Sequence, residues 1–316
     1  MKDCREEWYD RDAKVAVTIV DVTGAAQELA RGHLAGPTAA HYLTEALASV
    51  ALLGGEMSEQ DETVILQAKC SGPLGGYNVE CTSAGTLRGY TEKKVLDGFD
   101  GLGKPKDRMV LGDQQIQVTR SVPGRILSQG ISTSVDGYLA GSLQRKACIR
   151  TEVAVSDEVE ILEARGIMVE ILPDSKIGSL GSEGFLGSEG AEGARGSEGS
   201  EGSEGSEGSR GSEGSEGFLG SEGARGTEGT VKDPLLPLLD TKDPIRLSVA
   251  SRNILKQLGL ENAELRKTTP LKFACRCSPD RAITMLAALS DEERKALPPT
   301  IDITCHMCGK TFTVKV

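Results

Sequence analysis

Thr63-Val64-Ile65-Leu66-Gln67-Ala68-Lys69-Cys70, followed by Ser71-Gly72-Pro73-Leu74-Gly75-Gly76 and then Tyr77-Asn78-Val79-Glu80-Cys81-Thr82, is the stretch from which the fold is read. The first eight residues are rich in β-branched and apolar types and alternate as a strand does. The Gly/Pro-rich six that follow are turn formers. Ser83-Ala84-Gly85 then leads into a third strand, Thr86–Thr91. Strands joined by such short connections pair antiparallel, because a parallel return needs a crossover of a dozen residues or more. A meander is therefore expected.

Upstream, Pro37-Thr38 opens a run containing Ala39, Ala40, Leu43, Ala46, Leu47, Val50 and Ala51, which stops at Gly54-Gly55. Those are helix start and stop signals. The run is apolar around most of its girth, so a buried helix is expected. Downstream, strands are expected at Gln115–Thr119, Ala147–Val155 and Gly166–Leu172, with a short helix or ragged connection at Asp157–Ala164. The fold class is α+β. Residues 1–177 form a mixed α/β N-terminal core domain with an antiparallel sheet and buried helices.

Residues 178–230 are of a different composition. Glycine recurs at every third position from Gly178 to Gly229, and most triplets are Gly-Ser-Glu. Collagen shares the period but needs imino acids, and the tract has no proline. Its eleven Glu and three Arg give a net −8. A disordered, solvated acidic linker is expected. Residues 231–270 read as a helical linker: Leu235-Leu236-Pro237-Leu238-Leu239 is punctuated by proline, whereas Leu247, Ala250, Ile254 and Leu258 follow helical spacing up to Gly259. So short an amphipathic helix is stable only when docked.

Residues 271–316 carry the chemistry. Cys275-Arg276-Cys277 and Cys305-His306-Met307-Cys308 place a C-x-C and a C-x-x-C in one small unit. Four thiolates at this spacing suit a tetrahedral metal site, with Zn²⁺ the usual occupant. The same spacing suits two disulfides within the pairs. A helix around Ala282–Leu289 and a strand at Thr311–Val316 complete a unit with little core, whose folding would depend on the metal by about 10 kcal/mol. Cys4, Cys70, Cys81 and Cys148 show no ligand spacing, although Cys70 and Cys81 lie on adjacent strands. His33 and His41 read as structural, and His306 as a neighbour of the site or a surface residue.

The chain of 316 residues has a net charge of −11. Its charged opening, Met1–Glu7, lacks the apolar stretch of a signal peptide, and no run is long enough to span a membrane. A cytoplasmic location is expected, where clustered cysteines serve metal or redox duty. Residues 231–316 are only +4, and Phe273 and Phe312 are their aromatics, which provides poorly for nucleic acid. No phosphate loop, nucleophile elbow or metal-hydrolase motif is present, so neither an enzyme nor a nucleotide-dependent protein is expected.

With these residues in view, the chain resembles the 33-kDa heat-shock protein family of redox-regulated holdase chaperones. The resemblance rests on Phe273-Ala274-Cys275-Arg276-Cys277-Ser278 and Cys305-His306-Met307-Cys308-Gly309. It rests equally on Gly32-His33-Leu34-Ala35-Gly36-Pro37-Thr38-Ala39-Ala40, Ser71–Gly76, Leu87-Arg88-Gly89-Tyr90 and Gly166–Pro173. It covers about 1–175 and 231–316. The resemblance implies an ATP-independent chaperone that prevents unfolding client proteins from aggregating under oxidative stress. In the reduced, inactive state Cys275, Cys277, Cys305 and Cys308 would hold Zn²⁺. Oxidation would form Cys275–Cys277 and Cys305–Cys308 disulfides, release the metal, undock the linker and favour a homodimer. The glycine tract is a departure from the family, since it sits where the stress-sensing helical linker begins. Two other readings compete with this one. A structural zinc-ribbon module would bind nucleic acid or a protein complex. A thiol–disulfide oxidoreductase would need a thioredoxin-like βαβ unit before Cys305, and the sequence shows none.

Overall fold

The computed structural model describes residues 3–101, 106–173, 235, 238 and 244–315. The glycine-repeat tract lies outside the described residues, as does most of the Leu235–Leu239 stretch. Strands β1 (Cys4–Asp10), β2 (Val15–Asp21), β8 (Lys146–Val155), β9 (Ile161–Ile171) and β10 (Glu264–Pro270) form an antiparallel sheet in the order β10-β1-β2-β9-β8. A second sheet runs β11-β5-β4-β3-β6-β7. It is built from β3 (Thr63–Cys70), β4 (Gly76–Thr82), β5 (Thr86–Thr91), β6 (Gln114–Val122), β7 (Arg125–Ser132) and β11 (Lys272–Phe273). Its consecutive strands β3, β4 and β5 form the expected meander, with Val64 opposite Cys81 and Tyr77 opposite Thr91.

The helix expected after Pro37 is α2 (Pro37–Leu53), preceded by α1 (Thr23–His33). Proline occupies the first turn of α2, and its end passes into a 3₁₀ turn at Gly54–Glu56. Fifteen of its seventeen residues are buried. The reason is its position: it packs against β2, β8 and β9 of one sheet and β3, β4 and β5 of the other. A helix between two sheets has no solvent side, which is why its sequence shows no polar stripe. Residues of both sheets, α1 and α2 make one continuous core. Arg5 on β1 is buried beside it, reaching the Ala51 carbonyl at the end of α2 (3.2 Å) and Glu7 (3.2 Å). Two short helices flank the β6-β7 hairpin in the chain. α3 (Asp107–Val110) lies between β5 and β6, and α4 (Val135–Gly141) between β7 and β8.

The short helix or ragged connection expected at Asp157–Ala164 holds as an irregular connection over residues 157–160 and needs correction beyond them. Ile161 begins the long strand β9, in which Gly166, expected to open a strand, is an interior residue. The long pairing of β9 with both β2 and β8 overrides the weak local signal of the charged residues before it. Cys70 and Cys81 do not approach each other either. Cys81 faces Val64, six residues from Cys70 along β3, which at about 3.3 Å per residue is roughly 20 Å.

Beyond the tract, the chain returns to the core. Leu235, Leu238, Ile245, Leu247, Ile254, Leu255, Leu258, Leu260 and Ala263 bury themselves against Trp8, Val15, Val17, Ile19, Cys148, Ile167, Val169 and Ile171. The linker helix is α5 (Ser251–Gln257), ended by Gly259 at φ 72°. The linker stretch is not helical throughout, because Glu264–Pro270 joins the first sheet as its edge strand. The C-terminal unit consists of α6 (Pro279–Ala287), α7 (Asp291–Lys295) and the hairpin of β12 (Thr300–Thr304) and β13 (Thr311–Lys315).

Candidate metal centre

Each half of the cysteine set is delivered by a strand. Phe273 of β11 lies in register with Leu87 of β5, and the Ala274 N–H donates to the Leu87 carbonyl (3.1 Å). Cys275 and Cys277 therefore leave directly from the edge of the second sheet. Cys305 and Cys308 sit in the tight connection between β12 and β13. The Cys305 N–H donates to the Lys310 carbonyl (2.9 Å) and the Gly309 N–H to the Cys305 carbonyl (2.8 Å), with Gly309 at φ 73°. A glycine takes that left-handed conformation without steric cost.

The four sulfur atoms lie within 4.8 Å of one another, and they are the His/Cys/Asp/Glu cluster found among the described residues that could hold a metal ion. Cys275 Sγ is 3.8 Å from Cys305 Sγ, and Cys277 Sγ is 3.4 Å from Cys308 Sγ. A tetrahedron of thiolates at about 2.3 Å from a central Zn²⁺ has edges of roughly 3.8 Å, so the spacing fits such an ion. The electrostatics point the same way. Burial pulls the Cys275 thiol up, but the Cys277 backbone N–H, the Arg88 guanidinium and neighbouring thiols hold it down at about 7. Burial and the adjacent sulfurs push Cys277 up, and burial raises Cys308. Thiols this close ionise together only when a cation offsets their charge.

The unit around the site has a small core of Ala282, Phe312 and Val314, with Cys277, Leu286, Ile301 and Ile303 partly buried against it. So little apolar burial cannot by itself offset the entropy of ordering the unit. The cysteines open on a cleft of about 470 Å³ lined by Gly32, Phe273, Cys275, Cys277, Cys308 and Lys310.

The site is seated on the N-terminal core, and the seat is made of residues from the Gly32–Ala40 and Leu87–Tyr90 motifs. The Gly89 N–H donates to the Met307 carbonyl (3.2 Å). His33 Nε2 hydrogen-bonds the Gly89 carbonyl (2.8 Å), and burial lowers the His33 pKa. Tyr90 packs edge-on to His306 with ring centroids 5.6 Å apart. Gly32 and Gly309 face each other so closely that a Cβ at Gly309 would overlap the Gly32 carbonyl. Arg88 Nη1 reaches Cys275 Sγ at 3.7 Å, while its Nε and Nη2 grip Glu80 at 2.5 and 2.8 Å. Arg276 joins the same carboxylate at 2.8 Å. Glu80 is a residue of the site that sequence reasoning misses. The available signal is its opposite charge to Arg88 on the neighbouring strand, since the register pairs them directly.

The remaining cysteines stay apart from the site. Cys4 is on β1, Cys70 ends β3, Cys148 is buried on β8, and Cys81 is buried with Arg5 Nη1 at 3.9 Å from its sulfur. His41 Nε2 lies 3.0 Å from a Glu45 carboxylate oxygen on α2. His306 is exposed and lies outside the cluster.

The sequence and the fold are similar to those of known proteins. The chain is 25% identical over 94% of its length to a 33 kDa chaperonin of Thermus thermophilus, covering 79% of that protein. It is 22% identical to the 33 kDa chaperonin of Oceanobacillus iheyensis, over 99% of this chain and 96% of that one. The crystal structure of the 33 kDa chaperonin of Thermotoga maritima superposes with a TM-score of 0.71 at 17% identity, covering 100% of this chain and 95% of that one. The family described as Hsp33 protein matches residues 7–315. The chain belongs to the Hsp33 protein family, a family of chaperones. No helix among the described residues is long and apolar enough to cross a membrane.

Proposed function

We propose that the protein is an ATP-independent holdase whose activity is switched by oxidation of Cys275, Cys277, Cys305 and Cys308, with Zn²⁺ held by the same four residues in the reduced, inactive state. The observation that carries the reading is the position of residues 244–273. This one segment covers the apolar face formed by Trp8, Val17, Ile19, Ile167 and Val169, and it runs straight from there into Cys275. A bound Zn²⁺ would hold four thiolates together and supply the folding free energy that the small core lacks. Each cysteine pair gives up two electrons when its thiolates join. With peroxide, four thiolates, two H₂O₂ and four protons give two disulfides and four waters.

Joining either pair removes two of the four donors, so the unit loses its metal set. The C-terminal unit then has only its minor core to keep it folded and seated. Undocking it releases β11 and loosens β10 and α5 from the first sheet. Apolar surface normally covered by the linker becomes available to unfolding client proteins in the cytoplasm, and its exposure favours association of two chains. Binding by exposed apolar surface needs no nucleotide and no catalytic step.

The test is to follow zinc release colorimetrically during peroxide treatment and to map the resulting disulfides by mass spectrometry, with hydrogen exchange of residues 244–273 in parallel. One zinc per chain is expected, released as Cys275–Cys277 and Cys305–Cys308 form and as exchange of the linker amides accelerates. Linker amides that stay protected after all four cysteines are oxidised would contradict the proposal.

A further inference from the structure

We infer that Arg88, held in place by Glu80, is a positioning residue for the metal centre: it donates to the Cys275 thiolate and ties the C-x-C half of the site to the core. The inference rests on the reading of Cys275, Cys277, Cys305 and Cys308 as metal ligands. Three geometric facts support it. Arg88 divides its donors between two partners, Nε and Nη2 on the two Glu80 oxygens and Nη1 on Cys275 Sγ at 3.7 Å. Glu80 is 5% exposed, so its carboxylate is oriented by guanidinium groups rather than by water. The second of those groups belongs to Arg276, which stands between the two cysteines of the C-x-C, so a single core carboxylate anchors that loop and the donor to its sulfur.

The planar fork of arginine can make both contacts at once, whereas a lysine ammonium on the same strand is a single point donor. Four thiolates around a divalent cation leave an excess of two negative charges in a half-buried place. A fixed cation within reach of one sulfur offsets part of that charge and orients the ligand. Partners of this kind beyond the ligands themselves typically change metal affinity by about 10–100-fold. A sulfur joined in a disulfide is no longer an anion, so the Arg88 contact belongs to the metal-bound state of Cys275.

The variants are R88Q, R88K and E80Q in the full-length chain, each loaded with Co²⁺ or Zn²⁺ under reducing conditions. A donated hydrogen bond lowers the energy of the sulfur electrons. Its loss in R88Q should therefore move the thiolate-to-cobalt charge-transfer band to lower energy, and zinc affinity measured by chelator competition should fall by about 10-fold or more. R88K should lie between R88Q and the unaltered protein. E80Q, which touches no ligand, should shift the band in the same direction because Arg88 loses its hold. If R88Q fails to fold, R88K and E80Q carry the test alone. A band and an affinity unchanged in these variants would overturn the role of Arg88 while leaving the metal site standing. An unaltered protein that shows no four-thiolate cobalt spectrum would overturn the ligand assignment itself, and this inference with it.

Discussion

At the scale of single residues, the account turns on four sulfur atoms and the glycines that let them approach the core. Replacing Cys305 by Ser removes one donor of a four-donor set. Zinc content should fall from one per chain to near zero, and hydrogen-exchange protection of β12 and β13 should vanish while that of β3, β4 and β6 is kept. A protected hairpin in the metal-free variant would show that its core is self-sufficient. Gly309 makes a second demand. Alanine there meets both an unfavourable φ of 73° and the Gly32 carbonyl opposite. Gly309→Ala should cost about 2 kcal/mol of seating. Limited proteolysis of the reduced protein should then cut near residues 290–300 faster, with the core unaffected. The four ligand candidates were legible because thiolate spacing is a short-range pattern. Glu80 was not, because its partners Arg88 and Arg276 meet it only through strand register and a fold-back of nearly two hundred residues.

At the scale of elements, the decisive piece is the linker lid. α5 places Ile254 and Leu255 fully buried against the first sheet. A polar latch fixes the chain just before it. Arg165 Nη1 donates to the Leu247 and Val249 carbonyls at 2.7 and 2.9 Å, and Glu152 accepts from the Leu247 N–H at 2.6 Å. Ile254→Ala should weaken docking by about 2–4 kcal/mol through the cavity it leaves. Arg165→Ala should weaken it by about 1.5–3 kcal/mol through the lost charge-assisted bonds. Both variants, reduced and zinc-loaded, should bind more of a dye specific for exposed apolar surface than the unaltered protein does. Dye binding at the unaltered level in both would mean that the lid is not held by these contacts. The helix itself was readable from Ile254 and Leu258, but it starts at Ser251, so Leu247 lies before the helix and Ala250 at its N-cap rather than within it, as their spacing had suggested. The strand β10 was not, because Glu-Leu-Arg-Lys-Thr-Thr-Pro leaves most of its side chains in solvent and gains its order from pairing with β1. β7, an edge strand with half its residues exposed, was hidden for the same reason, and β1 was hidden because its charged residues, none of them exposed in the fold, read as a polar terminus.

At the scale of the whole molecule, the chain is a core clasped by its own residues 244–315. β10 adds to one sheet, β11 adds to the other, and the cysteine unit rests on β5. The meander and the buried helix α2 could be read from residues 37–91 because their signals are local. The clasp could not, since the two sheets recruit strands from beyond the repeat tract. Because the glycine-repeat composition of residues 178–230 offers few apolar side chains for docking, a chain lacking that tract should keep zinc-dependent inactivation and oxidative activation. Constitutive activity in that deletion would show that the tract's length is needed for the lid to close.

The most direct measurement compares aggregation of a thermally unfolding client, without nucleotide, in the presence of the reduced zinc-loaded protein and of the peroxide-oxidised protein. The account predicts that light scattering rises unchecked with the reduced form and is suppressed by the oxidised, zinc-free form. Equal protection by the reduced, zinc-loaded form would contradict it.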